Sequence, residues 1–426
     1  MRFSQVMPKQ IVIHSRHIKN SYWFIPTLMA LFAVVFATIS LMIDFSDSAT
    51  WLPNWAYLFS GGSDGARDVV GVIAGSIITV AGVTFSISIV ILSLASQQYG
   101  SRLLRNFTRD RALHFIIGAF IATYVFCLLV LPSIHAANDA GRVEFIPRIS
   151  VSICVAAAIA DVFVLIFFIH HVSKAIQAAF LSSSTQKELM ETLNTLYPAH
   201  ENDSSLGNET FIFEEGSPTI PVIARRSGYF QSVDIAQLVK LADQRNSTYR
   251  ILVSPGDYVV EGDMLIDFLS QNARLDEPLT EIEKCFALGY QRTMDQDPGF
   301  GFDMLVEMAV RALSPGINDP FTAIQCIDHL REPLRLLAIR GRTDGYFRGK
   351  GKQIRIIIPA LNFQQALERS APILEFYARQ SPTVLASLKN MLLKLEKNAS
   401  MGGDRISLKK QLHSIDLSLA QLERLS

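Results

Sequence analysis

Long apolar runs alternate with short polar segments over the first 171 residues of the chain. An apolar helix of about 20 residues is long enough to cross the ~30 Å hydrocarbon core of a bilayer. The second run exceeds this length, because 33 residues without a charge separate Asp68 from Arg102. Its helix is expected to tilt or to project into water. The pattern therefore predicts four transmembrane helices, at about residues 22–44, 69–96, 113–135 and 149–171.

The distribution of basic residues between the loops predicts the orientation of these helices. Lys and Arg favour the cytoplasmic side of a membrane. The leader of residues 1–21 contains four of them and no acid, and the loop after the second helix contains four arginines and one aspartate. In the other two loops the acids equal or outnumber the bases. Both termini are therefore expected to be cytoplasmic.

The pattern changes after residue 171. Residues 172–275 contain short strand-like runs separated by Gly and Pro, which predict a β-rich cytoplasmic domain. Residues 276–426 are mainly helical, with one strand near 353–359 and a terminal helical hairpin. The predicted fold class is a membrane α-helical protein with four transmembrane helices, followed by a C-terminal α+β cytoplasmic region.

The composition supports two parts that fold in different solvents. Residues 1–171 contain 11 Lys/Arg and 8 Asp/Glu, against 28 and 31 in residues 172–426. The whole chain has a net charge of zero, which gives no support for a nucleic-acid partner. Its four cysteines are far apart and form no C-x-x-C or Cys/His cluster. Neither a disulfide framework nor a metal site is therefore expected, and no cofactor is expected either.

Small and hydroxyl residues form a stripe along the second transmembrane helix. At steps of three and four they lie on one side of the helix: Gly75, Thr79, Gly82, Ser86, Ser93 and Gln97. Small residues let helix backbones approach closely, so the stripe fits close helix packing. Several copies of the same stripe would instead line a polar pore. The sequence leaves both interpretations open, because only oligomerisation separates them.

Charged residues within or next to the membrane also have two interpretations. Asp161 lies near the middle of the fourth helix, where an unpaired carboxylate would cost at least ~2.5 kcal/mol. It is either protonated or hydrogen-bonded to a hydroxyl of the third helix, such as that of Thr123 or Tyr124, or it is an ion or proton site. After the second helix, Arg102, Arg105 and Arg109 form a basic ridge. This ridge either contacts anionic lipid headgroups or attracts anions to a pore mouth.

A candidate polar site lies in the helical part of the cytoplasmic region. Arg292, Asp297, Asn318 and Asp319 occupy turns rich in Pro and Gly. Asp319 followed by Pro320 is typical of a helix N-terminus, which explains that motif without a ligand. Alternatively, the four residues converge on a site where the amide groups of the new helix face an anion. Arg292 is also a candidate counter-ion of Asp297.

Two stretches of the chain match a known sequence pattern. The first covers the second transmembrane helix and the residues just after it: Ala74-Gly75-Ser76, residues 79–86, Ser96-Gln97-Gln98-Tyr99 and residues 102–107. The second is cytoplasmic: Arg292-Thr293, Gln296-Asp297, Phe300-Gly301 and residues 312–323, with Phe321 where a smaller polar residue is expected. Together they resemble an uncharacterised bacterial family of predicted integral membrane proteins, domain of unknown function 2254. The resemblance implies a multi-pass protein of the bacterial inner membrane and supplies no activity.

The sequence supports two functional hypotheses. The leading one is an oligomeric channel or ion-conducting protein, whose second helix lines the pore and whose cytoplasmic region assembles or gates it. The other is a membrane-anchored sensor or scaffold whose cytoplasmic region binds a ligand or partner. An enzyme is not expected, since the chain contains neither a P-loop nor an H-E-x-x-H motif. The expected partners are the lipid bilayer and further copies of the chain, and the ligand is unknown.

Overall fold

The computed structural model describes residues 23–46, 61–99, 110–136, 144–175, 178–198, 219–270, 279–340, 344–350, 353–397 and 402–424. These residues belong to two compact units. We refer to residues 1–177 as the N-terminal unit and to residues 178–426 as the C-terminal unit.

The described part of the N-terminal unit contains four long helices. They are α1 (Phe24–Phe45), α2 (Ser63–Tyr99), α3 (Arg111–Val130) and α4 (Arg148–Ala175). A short 3-10 turn at Leu131–Ser133 follows α3. All four are long and apolar enough to cross a membrane, which confirms the four predicted helices. The second helix begins six residues earlier than predicted, at Ser63 instead of residue 69.

Helix α3 packs against the other three helices and contributes much of their shared core. Its Ile116, Phe120 and Val130 are fully buried. Carboxylates accept hydrogen bonds from the free backbone amides at two helix N-termini. Asp44 of α1 accepts hydrogen bonds from the amides of the first residues of α4, at 3.0 Å. Asp110 caps α3 through the Ala112 amide at 2.9 Å, so backbone donors that a helix N-terminus leaves free are satisfied here.

The C-terminal unit combines eight described helices with eight strands. The helices are α5 (Ala178–Leu196), α6 (Ile235–Gln244), α7 (Thr280–Glu283), α8 (Pro298–Ala312), α9 (Pro320–Arg340), α10 (Phe363–Ala378), α11 (Pro382–Glu396) and α12 (Gly402–Glu423). Helices α11 and α12 pack together as the terminal hairpin. Asn362 and Gln365 form a capping box at the start of α10, which fixes where that helix begins.

The described strands form two sheets. They are β1 (Thr219–Ile223), β2 (Gly228–Val233), β3 (Ser247–Ile251), β4 (Tyr258–Val259), β5 (Met264–Ser270), β6 (Phe286–Gly289), β7 (Asp344–Arg348) and β8 (Ile354–Pro359). One sheet has the order β1-β5-β3-β8-β7 and the other has the order β4-β2-β6. Strands β3 and β8 are parallel, with Tyr249 opposite Ile356.

The sheets correct the expected domain boundary near residue 275. Strand β6 pairs with β2, and β8 pairs with β3, so strands from the predicted helical domain complete both sheets. Their residues also share one core, in which Ile282 and Ile356 pack with Phe230 and Tyr249. Residues 172–275 and 276–426 are therefore not separate domains. Strands β6 and β7 were not predicted from the sequence, and each lies at the edge of its sheet, where it pairs with one neighbour, β2 or β8.

Candidate functional site

A cavity of about 840 Å³ lies within the C-terminal unit. The ends and beginnings of several elements enclose it. They are the end of α5, the turn before β4, the start of α8, the end of α9, strand β7, the end of β8 and the first turns of α10. Three arginines and two aspartates are among the lining residues: Arg292, Arg340, Arg369, Asp257 and Asp297. Charged and apolar groups therefore line the same cavity.

A buried ion pair forms the floor of this cavity. Arg292 donates to Asp297 at 2.8 Å and to Asp303 at 2.6 Å. Burial disfavours the charge of Arg292, but the two carboxylates outweigh burial and raise its pKa, so the guanidinium stays charged. Asp297 also caps α8 by accepting from the Phe300 amide at 3.0 Å. The sequence-based interpretation of Arg292 as the counter-ion of Asp297 is therefore confirmed.

A tight turn is pressed against this ion pair. Gly256 has a φ of +102°, a conformation that residues with a side chain rarely adopt. A Cβ atom at this position would lie 2.2 Å from Oδ2 of Asp297. Only glycine therefore lets the turn before β4 approach the ion pair closely enough to close this side of the cavity.

The other two lining arginines have weaker charge compensation. Arg340 donates to Asn194 Oδ1 at 3.1 Å and to the Tyr197 carbonyl at 3.4 Å, and both acceptors are neutral. Arg369 donates to Asp303 at 3.4 Å, and 45% of its side chain is exposed. Positive charge therefore remains accessible on the wall formed by α9 and α10.

The structure separates the four residues of the predicted polar site into two pairs. Arg292 and Asp297 lie at the start of α8, whereas Asn318 and Asp319 follow its end, about 22 Å further along that helix axis. Asp319 accepts from the hydroxyl and amide of Thr322 at the start of α9. These hydrogen bonds lower the pKa of Asp319. Its role is that of the helix cap that the sequence predicted, and the four residues do not converge.

The stripe of the second transmembrane helix faces away from the other described helices of the N-terminal unit. Gly75, Thr79, Gly82, Ser86 and Ser93 are all exposed. The buried side of α2 is a different set at the same spacing: Ala66, Val70, Ala74, Ile77, Ala81, Thr84, Ser88 and Ile91. A Cβ atom added at Gly75 or Gly82 would meet nothing within 4 Å. The side chain of Gln97 and the ridge of Arg102, Arg105 and Arg109 lie outside the described residues.

The intramembrane acid is buried between two helices. Asp161 is 4% exposed and is hydrogen-bonded to Thr123 of α3. Its Oδ2 atom has no hydrogen-bond partner among the described residues. Two thiols lie in hydrogen-bond contact on the same pair of helices, Cys127 on α3 and Cys154 on α4, and both are fully buried. The contact with Thr123 agrees with the sequence-based pairing, whereas the proximity of the two cysteines was missed.

Sequence reasoning also missed Arg340 and Arg369. Arg340 is the last residue of α9, where a basic side chain is commonly explained by the helix dipole. Arg369 is one of two charged residues on the exposed side of α10, next to Glu368. Neither position carries a local pattern that indicates a cavity, since the elements that surround it come from distant parts of the sequence.

Comparisons with known proteins place the chain among membrane proteins. It matches a family described as predicted membrane protein (DUF2254) over residues 19–394. It is 28% identical over 400 residues to uncharacterized protein Mb1321c of Mycobacterium bovis and to uncharacterized protein Rv1290c of Mycobacterium tuberculosis. Each alignment covers 93% of this chain and 75% of the relative. No solved structure matches the chain.

Proposed function

The chain belongs to the predicted membrane protein family DUF2254, and we propose that it is a membrane-anchored protein whose C-terminal unit binds a small molecule. The observation that carries this proposal is the cavity of about 840 Å³. Ligand pockets typically measure about 300–1,000 Å³ and combine apolar walls with a few placed polar groups. The role is one of binding and not of catalysis.

The walls of the cavity support a preformed binding site. The Arg292–Asp297 pair holds the start of α8, and Gly256 lets the turn before β4 close against it. Elsewhere in the lining the Tyr197 hydroxyl donates to the Leu361 carbonyl at 2.8 Å, which joins the end of α5 to the segment after β8. A pocket whose walls are held in place loses less conformational entropy when it binds a ligand.

A filled-cavity variant tests the binding proposal. Ala360 lines the cavity, so Ala360→Trp places an indole in the ligand space. The full-length protein is purified from its native membrane, denatured, and the released small molecules are identified by mass spectrometry. We expect at least one compound to be retained by the wild type and at least tenfold less of it by Ala360→Trp.

The control places the same side chain elsewhere. Ala386 is exposed on α11 and does not line the cavity, so Ala386→Trp should retain the compound as the wild type does. Equal retention by all three proteins, or no retained compound in the wild type, would contradict ligand binding in the cavity.

A second candidate function is the oligomeric channel that the sequence favours. The specific observation that supports it is the outward position of the stripe on α2, because its glycines face open space within one chain. Small residues and hydroxyls on an outer surface fit contact with a second copy of the helix, or a wet axis that several copies surround. In this function the C-terminal unit assembles or gates the channel.

Blocking the stripe tests this candidate. Gly82→Leu adds a bulky side chain to the stripe and should lower the oligomeric state in detergent and any ion current in a planar bilayer. Ile87→Leu changes an exposed residue of α2 outside the stripe and should leave both unchanged. A monomeric wild-type protein without current under any voltage or ion condition would exclude the channel.

We also propose that the protein lies in the bacterial inner membrane with both termini in the cytoplasm. Because the chain crosses the membrane four times, both ends lie on the same side. The basic residues of the leader indicate that this side is the cytoplasm. Gly62→Cys should react with a membrane-impermeant thiol reagent in spheroplasts, whereas Arg424→Cys should react only after lysis. The four native cysteines are buried and should add little background. The reverse labelling would contradict this orientation.

A further inference from the structure

We propose that the cavity of the C-terminal unit takes an organic anion, whose negative group is bound by Arg340 and Arg369. Its apolar part would lie against the wall formed by β7 and the end of β8. This inference rests on the proposed ligand-binding function and names the chemical class of the ligand.

The charges of the lining residues favour a negative ligand. The charge of Arg292 is matched by Asp297 and Asp303 at 2.8 and 2.6 Å, and only 16% of its side chain is exposed. Arg340 forms no ion pair with the described residues, and its acceptors are neutral. The bond from Arg369 to Asp303 is long, and Asp303 already accepts the shorter bond from Arg292. Two guanidinium groups therefore remain for a ligand.

Neither acidic lining residue is paired with Arg340 or Arg369. Asp297 is 4% exposed and is already paired with Arg292. Asp257 accepts a hydrogen bond from the Ser254 amide at 2.7 Å, inside its own turn. The lining contains three arginines and two aspartates, and Asp303, which pairs with Arg292 and Arg369, balances the group. Within this group Arg340 is the cation that no carboxylate of the described residues pairs, so the positive charge is local to the end of α9.

Two of the arginines meet at the start of α8, whose N-terminus Asp297 already caps. This helix is 15 residues long, and its first two residues line the cavity. A Cβ atom at Gly299 would lie 3.6 Å from Cζ of Arg369 and 3.7 Å from Nη2 of Arg292, so both guanidinium groups approach the first turn. The N-terminal end of a helix favours anions, and planar guanidinium groups bind carboxylate or phosphate oxygens in pairs.

The apolar lining residues explain why the ligand should be organic. Phe347 of β7, Ile358 of β8 and Leu361 line the cavity, and 38% of Phe347 is exposed. A small inorganic ion would leave this apolar surface in contact with water. A ligand with an apolar or aromatic body removes it from water, at about 25 cal/mol per Å² of surface buried.

The potential inside the cavity is measured with a reporter cysteine in the full-length protein. Thr195 lines the cavity and is exposed, and its hydroxyl donates to the Glu191 carbonyl one turn earlier in its own helix, so Thr195→Cys is a mild change. Two probes of similar size react with the thiol, the anionic sulfonatoethyl methanethiosulfonate and the cationic trimethylammonium-ethyl methanethiosulfonate. Each rate is divided by the rate of the same probe with free 2-mercaptoethanol.

We expect the anionic probe to be favoured at least about fivefold over the cationic one, since local fields change encounter rates tenfold or more. Adding Arg340→Gln or Arg369→Gln should remove most of this preference. Arg311→Gln is the matched control, because Arg311 lies near the far end of α8 and is paired with Glu307. This change should leave the preference intact.

The outcomes separate the class of the ligand from ligand binding itself. No preference for the anionic probe, or a preference that survives both arginine changes, overturns the anion inference. Ligand binding would still stand if Ala360→Trp loses a retained compound, and a neutral or cationic compound would refute the anion class directly. A retained anionic compound that both Arg340→Gln and Arg369→Gln lose would support the inference independently of the probes.

Discussion

At the scale of single residues, one buried carboxylate holds the last helix of the chain in place. Glu375 of α10 is 6% exposed. It accepts hydrogen bonds from three neutral side chains of α12: Gln411 at 2.6 Å and Ser414 and Ser418 at 2.8 Å. No cation compensates this charge among the described residues that contact it. The three hydrogen bonds therefore offset the free-energy cost of removing this carboxylate from water.

Glu375→Ala should destabilise the C-terminal unit by about 2 kcal/mol or more, because it leaves three donors without their acceptor. Thermal unfolding of the full-length protein measures this loss as a lower midpoint. Glu368→Ala removes an exposed carboxylate from the same helix and should change stability by no more than about 0.5 kcal/mol. Equal shifts in the two variants would contradict a specific role of Glu375.

Of the charged residues that line the cavity, the sequence pointed to Arg292 and Asp297 but not to Arg340 and Arg369. The Arg292–Asp297 pair lies five positions apart in one turn, so its ion pair depends on local geometry. Arg340 and Arg369 meet the same space only after α9 and α10 pack against α8. Asn318 and Asp319 belong to the same motif as Asp297 in the sequence, yet the length of α8 keeps them apart. Closeness in the sequence therefore predicted contact in the structure only for residues of a single turn.

At the scale of elements, two glycine turns beside β4 have similar backbones and different surroundings. Gly256 has a φ of +102° and Gly262 a φ of +95°. A Cβ atom at Gly256 would collide with Asp297, whereas one at Gly262 would meet nothing within 4 Å. An alanine at Gly262 therefore measures the free-energy cost of the backbone conformation alone. An alanine at Gly256 measures the same cost together with that of the collision with Asp297.

Gly262→Ala should destabilise the protein by about 1–3 kcal/mol, through an unfavourable backbone conformation alone. Gly256→Ala has the same backbone strain and also displaces Asp297, so it should be destabilised further and should lose the compound retained by the cavity. Thermal unfolding and the mass-spectrometric assay measure the two effects. Matching losses of stability in the two variants would show that the turn before β4 does not press on the ion pair.

Helix α2 has two faces with separate roles. One face carries the apolar and hydroxyl residues that pack inside the N-terminal unit, and the stripe lies on the other. The periodicity of the sequence placed the stripe on one side of the helix. It did not decide which side faces the chain's own helices, because both sides have the spacing of a helix contact.

At the scale of the whole molecule, the C-terminal unit is built from strands that are distant in sequence. Strands β6 and β8 each supply a neighbour to a strand that lies before residue 275. A fragment of residues 178–275 would lose β6 and β8 together with the core residues Ile282 and Ile356. It should therefore show no cooperative thermal transition, whereas the intact chain should show one.

Circular dichroism and hydrogen exchange of the purified fragment measure this outcome. The reference is the same segment within the full-length protein, in which the amides of β3 and β5 should be protected. A fragment that unfolds cooperatively with protected amides would restore an independent β-rich domain and contradict the single C-terminal unit.

The sequence by itself determined the properties that depend on local composition. Long runs of apolar residues predict the four membrane helices, since the energy of crossing a bilayer is a sum over one continuous segment. Helix ends were also recognisable, because capping needs only an Asp or Asn and the next three residues.

Only the tertiary structure decided which residues meet. It paired β6 and β8 with earlier strands, left the stripe of α2 on the exposed side of that helix, and brought Arg340 and Arg369 to one cavity. Each of these contacts links segments far apart in the chain, so its energy depends on the packing of all the intervening elements. No local pattern of residues records that packing, and for this reason the cavity was found in the fold and not in the sequence.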